Sequence, residues 1–112
     1  MGQNRREVSK SGYISHDRTF VPVRYLGYAL GVKENDVQWD NKLQKATLTL
    51  PSYRVAMAIG SPAIEDNGEL KIIDVSPELK QNRTFLPARY VAEGLGYTVK
   101  WVNEGGRDYV IS

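Results

Sequence analysis

Two stretches of the chain carry the same order of apolar and polar positions. In Arg18–Gly31 and again in Arg83–Gly96, a β-favouring run Arg-Thr-Phe-(Val/Leu) leads into a proline. Apolar residues three and four apart follow, ending on glycine. Val23, Leu26, Gly27 and Leu30 fall at helical spacing, as do Ala88, Val91, Ala92 and Leu95. The spacing predicts short helices over about 22–30 and 87–95, each with one apolar stripe to bury. Pro22 and Pro87 suit the first helical turn, where a missing N–H has no partner to lose. Gly31 and Gly96 suit the position just past a helix end.

The two stretches match at an offset of 65 residues, with Arg, Thr, Phe, Pro, Arg, Tyr, Leu and Gly identical. Beyond them the offset becomes 62, so Val37 and Trp39 fall opposite Val99 and Trp101. Residues 46–50 likewise fall opposite 108–112. Val37/Trp39 and Val99/Trp101 alternate with polar residues and read as strands, and Ala46–Leu50 and Tyr109–Ile111 follow after turn-rich breaks at Asp40–Lys42 and Asn103–Gly106. Between the copies, Tyr53–Ile59 and Ile64–Ile73 read as further strands, broken at Gly60-Ser61-Pro62. Asp66-Asn67-Gly68 marks a tight hairpin, because Asn-Gly accepts positive φ. The expected architecture is α+β: antiparallel sheet packed on two short helices, an internal duplication with pseudo-twofold symmetry. Residues 12–112 are expected to form one domain of two repeats, about 12–50 and 53–112, after a polar, disordered tail over 1–11. The unequal edges of the copies suggest a domain cut from a longer chain, though natural truncation fits as well.

Charge changes the picture little. Of 15 Lys and Arg and 13 Asp and Glu, three bases (Arg5, Arg6, Lys10) and one acid (Glu7) lie in the tail. The remaining 12 of each sign, dispersed along 12–112, argue against nucleic-acid binding, which needs clustered cations. No apolar run is long enough for a membrane span, and residues 1–11 carry no secretory apolar core. With no cysteine, disulfides, thiolate metal sites and cysteine nucleophiles are excluded.

The run from Asn82 to Gly96, with Val99-Lys-Trp101 behind it and Ile59-Gly60-Ser61 and Asn67-Gly68 ahead, resembles the copper amine oxidase N-terminal-like (stalk-like) domain family. The resemblance covers nearly all of 13–112. It implies antiparallel sheet around one helix per repeat, and a stalk or accessory role in exported or surface-associated bacterial proteins. It does not bring the oxidase chemistry. That belongs to a separate catalytic domain with three copper-ligating histidines and a modified tyrosine, whereas this chain has one histidine, His16, and no Asn-Tyr dipeptide. Neither an enzyme nor a cofactor is expected.

His16 matches Gln81 in the second copy and reads as a polar turn residue. Arg24 and Arg89 recur beside Tyr25 and Tyr90; they are either an anion or sugar-acid site or structural cations paired with carboxylates. Trp39 and Trp101 could stack on sugars, but their alternation with Val37 and Val99 favours the core or its edge. Tyr28, Tyr53 and Tyr97 escape the duplication, so the fold does not demand them; with Arg24 and Arg89 they are the candidate ligand residues. Glu65, Asp66 and Glu69 flank a hairpin and read as a solvated face. The chain is expected to be an extracellular or cell-surface accessory module that binds cell-wall or other polysaccharide or tethers a neighbouring domain. The alternative is a purely structural stalk or protein-interaction module with no small ligand, able to form a weak homodimer through exposed strand edges.

Overall fold

The computed structural model describes the backbone of residues 5–7, 12–99, 101–104 and 107–111, and side chains over 12–99. Among the described residues, twelve strands form three antiparallel sheets, accompanied by two α-helices. Strands β1 (Arg5–Glu7), β11 (Trp101–Glu104) and β12 (Arg107–Ile111) pair in the order β1-β12-β11. β1 lies within the stretch 1–11 expected to be disordered. Residues 105 and 106, part of the turn expected between β11 and β12, lie outside the described residues.

The centre of the molecule joins the copies. Strands β2 (Tyr13–Ser15), β3 (Arg18–Pro22), β9 (Glu78–Lys80) and β10 (Arg83–Pro87) form a sheet ordered β2-β3-β10-β9. Register sets Val21 directly opposite its own counterpart, Leu86, with Phe20 opposite Pro87 and Pro22 opposite Phe85. Each outer hairpin turns on two non-glycine residues with positive φ: His16 and Asp17 at 52° and 61°, Gln81 and Asn82 at 51° and 61°. These pairs match the demand of two-residue hairpins for left-handed backbone, which short polar residues tolerate better than apolar ones.

Helix α1 (Val23–Ala29) follows β3 and helix α2 (Ala88–Gly94) follows β10. The prolines end the strands instead of opening the helices: Pro22 and Pro87 hold extended ψ values of 136° and 108° at the N-cap, one residue earlier than expected. Both helices close alike. Val32 N–H reaches Gly27 C=O at 2.8 Å and Gly31 N–H reaches Tyr28 C=O at 3.0 Å. Tyr97 to Ala92 and Gly96 to Glu93 repeat these bonds at 3.0 Å each. Gly31 and Gly96 take φ of +88° and +90°, the left-handed residue this closure needs.

The third sheet is β4 (Val37–Asp40), β5 (Lys45–Leu50), β6 (Tyr53–Ala58), β7 (Ala63–Asp66) and β8 (Glu69–Ile72), paired in that order. Asn67 and Gly68, with φ of 53° and 90°, make the tight turn between β7 and β8. Asn67 also braces the fold: its Oδ1 accepts from Arg54 N–H at 2.7 Å and its Nδ2 donates to Gly94 C=O at 2.9 Å. One core lies between helices and sheets. Leu26, Leu30, Val91, Ala92 and Leu95 from the helical segments meet Val21 and Leu86 of the central pair and Leu48, Val55 and Met57 of the large sheet. Complete burial of a leucine or valine of this kind contributes about 1.5–3 kcal/mol. The far face of the central sheet is closed by a smaller cluster of Phe20, Phe85 and Val75, with Tyr13 stacked on Phe20 at 5.8 Å between centroids.

Candidate binding cleft

The duplication brings pieces of both copies to one place. The hairpin turn before β10 lies beside the start of α1 and the first strand of the large sheet. Between them is a cleft of about 280 Å³. It is lined by buried Pro22, Val37 and Ala46, half-buried Val23, Tyr25 and Thr84, and exposed Arg24, Gln38, Trp39, Asn82 and Arg83. Trp39 shares the side of its strand with buried Val37, two residues away, as alternation predicts. Yet it is 39% exposed, so its ring walls the cleft and does not fill the core. The Trp101 side chain lies outside the described residues.

No carboxylate lines this cleft. Two arginines do, one from each copy, and among the described residues neither has a carboxylate partner. Arg24 Nη1 stands 3.4 Å from Tyr28 Oη, one helical turn along α1. The Arg83 guanidinium lies over the Phe85 ring at 5.7 Å.

Their counterparts, again one from each copy, are paired with carboxylates. Arg89, the counterpart of Arg24, has its Nε 3.3 Å from Glu93 Oε2. Arg18, the counterpart of Arg83, donates through Nη2 to Asp74 Oδ2 at 2.8 Å and lies 5.2 Å over the Tyr90 ring. Tyr90 Oη donates to the other oxygen of Asp74 at 2.8 Å. The Arg18 hydrogen bond, then that of Tyr90, holds the Asp74 carboxyl below the ordinary carboxylate range. Of the two helix arginines, Arg89 has a carboxylate partner and Arg24 has none among the described residues.

The five candidate ligand residues do not gather in one site. Arg24 lines the cleft, and Tyr28, 45% exposed, stands beside it. Tyr53 and Tyr97 flank a shallower hollow with Leu50 and Leu95. There Tyr53 packs its ring on Gly96, and half-buried Tyr97 donates its hydroxyl to Leu30 C=O at 2.6 Å. Arg89 is held by Glu93. His16 occupies an exposed turn, 3.0 Å from Ser15 Oγ. The hairpin acids are all paired: Glu65 with Lys45, and Asp66 and Glu69 with Lys71 at 3.1 and 3.6 Å. Sequence reasoning missed Arg83, Asn82 and Gln38. The one available signal was the exchange of Glu93 for Tyr28 one turn past the helix arginine.

Among the described residues, no three His, Cys, Asp or Glu side chains stand together to hold a metal ion. No described helix is long and apolar enough to cross a membrane. No curated protein and no solved structure showed significant similarity to the chain. The family model described as copper amine oxidase N-terminal domain matches residues 2–110. That domain is an accessory, structural part of the oxidases, distinct from the part that carries catalysis. With nearly its whole length matched, the chain belongs to the copper amine oxidase N-terminal domain family.

Proposed function

We propose that this domain is a non-catalytic surface module that holds a polysaccharide of the cell wall or its surroundings in the cleft between the two copies. The observation that carries the reading is the cleft itself: the half-exposed Trp39 face beside a rim of arginine and amide side chains. Aromatic wall plus convergent polar groups is the general constitution of a small-ligand site. Both helices and the central strands contribute side chains to the core.

Co-sedimentation of the folded domain with insoluble peptidoglycan and a panel of polysaccharides tests this. Saturable binding to a polymer, lost in Trp39→Ala, is expected. No binding to any polymer contradicts it.

A second reading, a tether or stalk that associates through a sheet edge, has its own observation. Among the described strands β8 pairs only with β7, and its Leu70 and Ile72 are 66% and 73% exposed. An open strand bearing apolar residues is a template for another chain. Light scattering over a concentration series separates the two: a strict monomer at high concentration removes this reading.

A further inference from the structure

We infer that the cleft is selective for an anionic saccharide, with the acid group held by Arg24 and Arg83 and the sugar ring laid on Trp39. This rests on the polysaccharide reading above and narrows its ligand. The duplication supplies the comparison that carries it. Two arginine positions recur in each half, one on the helix and one opening the central strand. The strand arginine of the first copy, Arg18, and the helix arginine of the second, Arg89, are satisfied internally, by Asp74 and by Glu93. Their counterparts, Arg83 of the second copy and Arg24 of the first, both face a cleft that has no carboxylate in its lining. Scaffolding alone does not account for the difference, because Arg24 is exposed and the fold asks nothing of its charge.

The chemistry of the rim is consistent with this. Guanidinium groups present planar forks of N–H donors that match a carboxylate or phosphate, and such charge-assisted bonds are about twice as strong as neutral ones. Asn82 and Gln38 add amide donors and acceptors suited to sugar hydroxyls. An acid group on an extended polymer would bring many low-affinity contacts to a surface-bound module, where multivalency compensates for weak single sites.

The test is calorimetric titration with trigalacturonate for a carboxylate, N-acetylglucosamine 6-phosphate for a phosphate, and maltotriose as a neutral control. The variants are Arg24→Gln, Arg83→Gln, Trp39→Ala and Arg89→Gln, each checked for native circular dichroism. One of the acidic probes is expected to bind while maltotriose does not. Arg24→Gln and Arg83→Gln each weaken it by about tenfold or more, as for loss of one charged contact, and Arg89→Gln leaves it unchanged. The probe that binds tells which acid group the cleft takes. Equal weakening by Arg89→Gln overturns the inference, since it would mark diffuse charge attraction. So does failure of both acidic probes; if a neutral polysaccharide still co-sediments then, the broader function survives, and if no polymer does, both fall.

Discussion

Arg24 and Arg89 occupy the same position on the two helices, but only Arg89 has a carboxylate one turn further on. Glu93 Oε2 lies 3.3 Å from Arg89 Nε, whereas the first copy places Tyr28 there, its hydroxyl 3.4 Å from Arg24 Nη1. One exchange of residue type thus separates a self-satisfied helix surface from one with a charge to spare.

Tyr97 was a candidate ligand residue, and its hydroxyl is instead committed to Leu30 C=O, 67 residues away in sequence. That bond ties the close of α1 to the loop after α2. Tyr97→Phe is expected to lower stability by about 1 kcal/mol, the usual net contribution of a hydrogen bond, with no effect on saccharide binding. Urea denaturation beside a binding titration checks both halves of this statement.

Gly31 and Gly96 share a left-handed φ, so alanine at either position costs about 1 kcal/mol or somewhat more of backbone strain. Their surroundings differ. A Cβ at Gly31 meets only the Tyr97 hydroxyl, at an ordinary 3.6 Å, while at Gly96 it would overlap the Tyr53 ring. Gly96→Ala is therefore expected to be the more destabilising of the two by thermal melting. Tyr53→Ala should narrow the gap between them by removing the obstructing ring.

Asp74 gives the fold an acid-sensitive joint. Its carboxylate is held by Arg18 first and Tyr90 second, so its folded pKa lies below the ordinary value of 3.8. Protons then bind the unfolded chain more readily than the folded one. The stabilisation is fully present above that ordinary value and is lost as pH falls through the depressed one. Thermal melts taken from neutral pH down into this acid range should fall less steeply in Asp74→Asn than in the wild type.

Much of this architecture was legible because local rules and the duplication agree. The helical stripes, the glycine closures at Gly31 and Gly96, and the Asn67-Gly68 turn each depend on residues within a few positions of one another, and each recurs or is chemically distinctive. The prolines misled by one residue because proline suits both a strand end and a helix start, and Pro22 and Pro87 kept the extended ψ of the strand. Trp39 obeyed strand alternation, yet alternation says only which side a residue faces. It does not say whether a helix reaches far enough to cover it. The cleft was illegible for a simpler reason: it joins residues 22–46 to residues 82–84, from different copies. The Arg18–Asp74 pair, 56 residues apart, left no mark in the sequence that could reveal which arginines were already satisfied.

The most direct measurement writes the second copy's solution into the first. Tyr28→Glu places a carboxylate one turn past Arg24, reproducing the Arg89–Glu93 pair, and Tyr28→Gln supplies the same size without charge. Titrated with the acidic saccharide that the wild type binds, Tyr28→Glu should lose about tenfold or more in affinity while Tyr28→Gln retains it. Equal affinity in the two variants would contradict the account, because the unpaired charge of Arg24 would then have no part in binding.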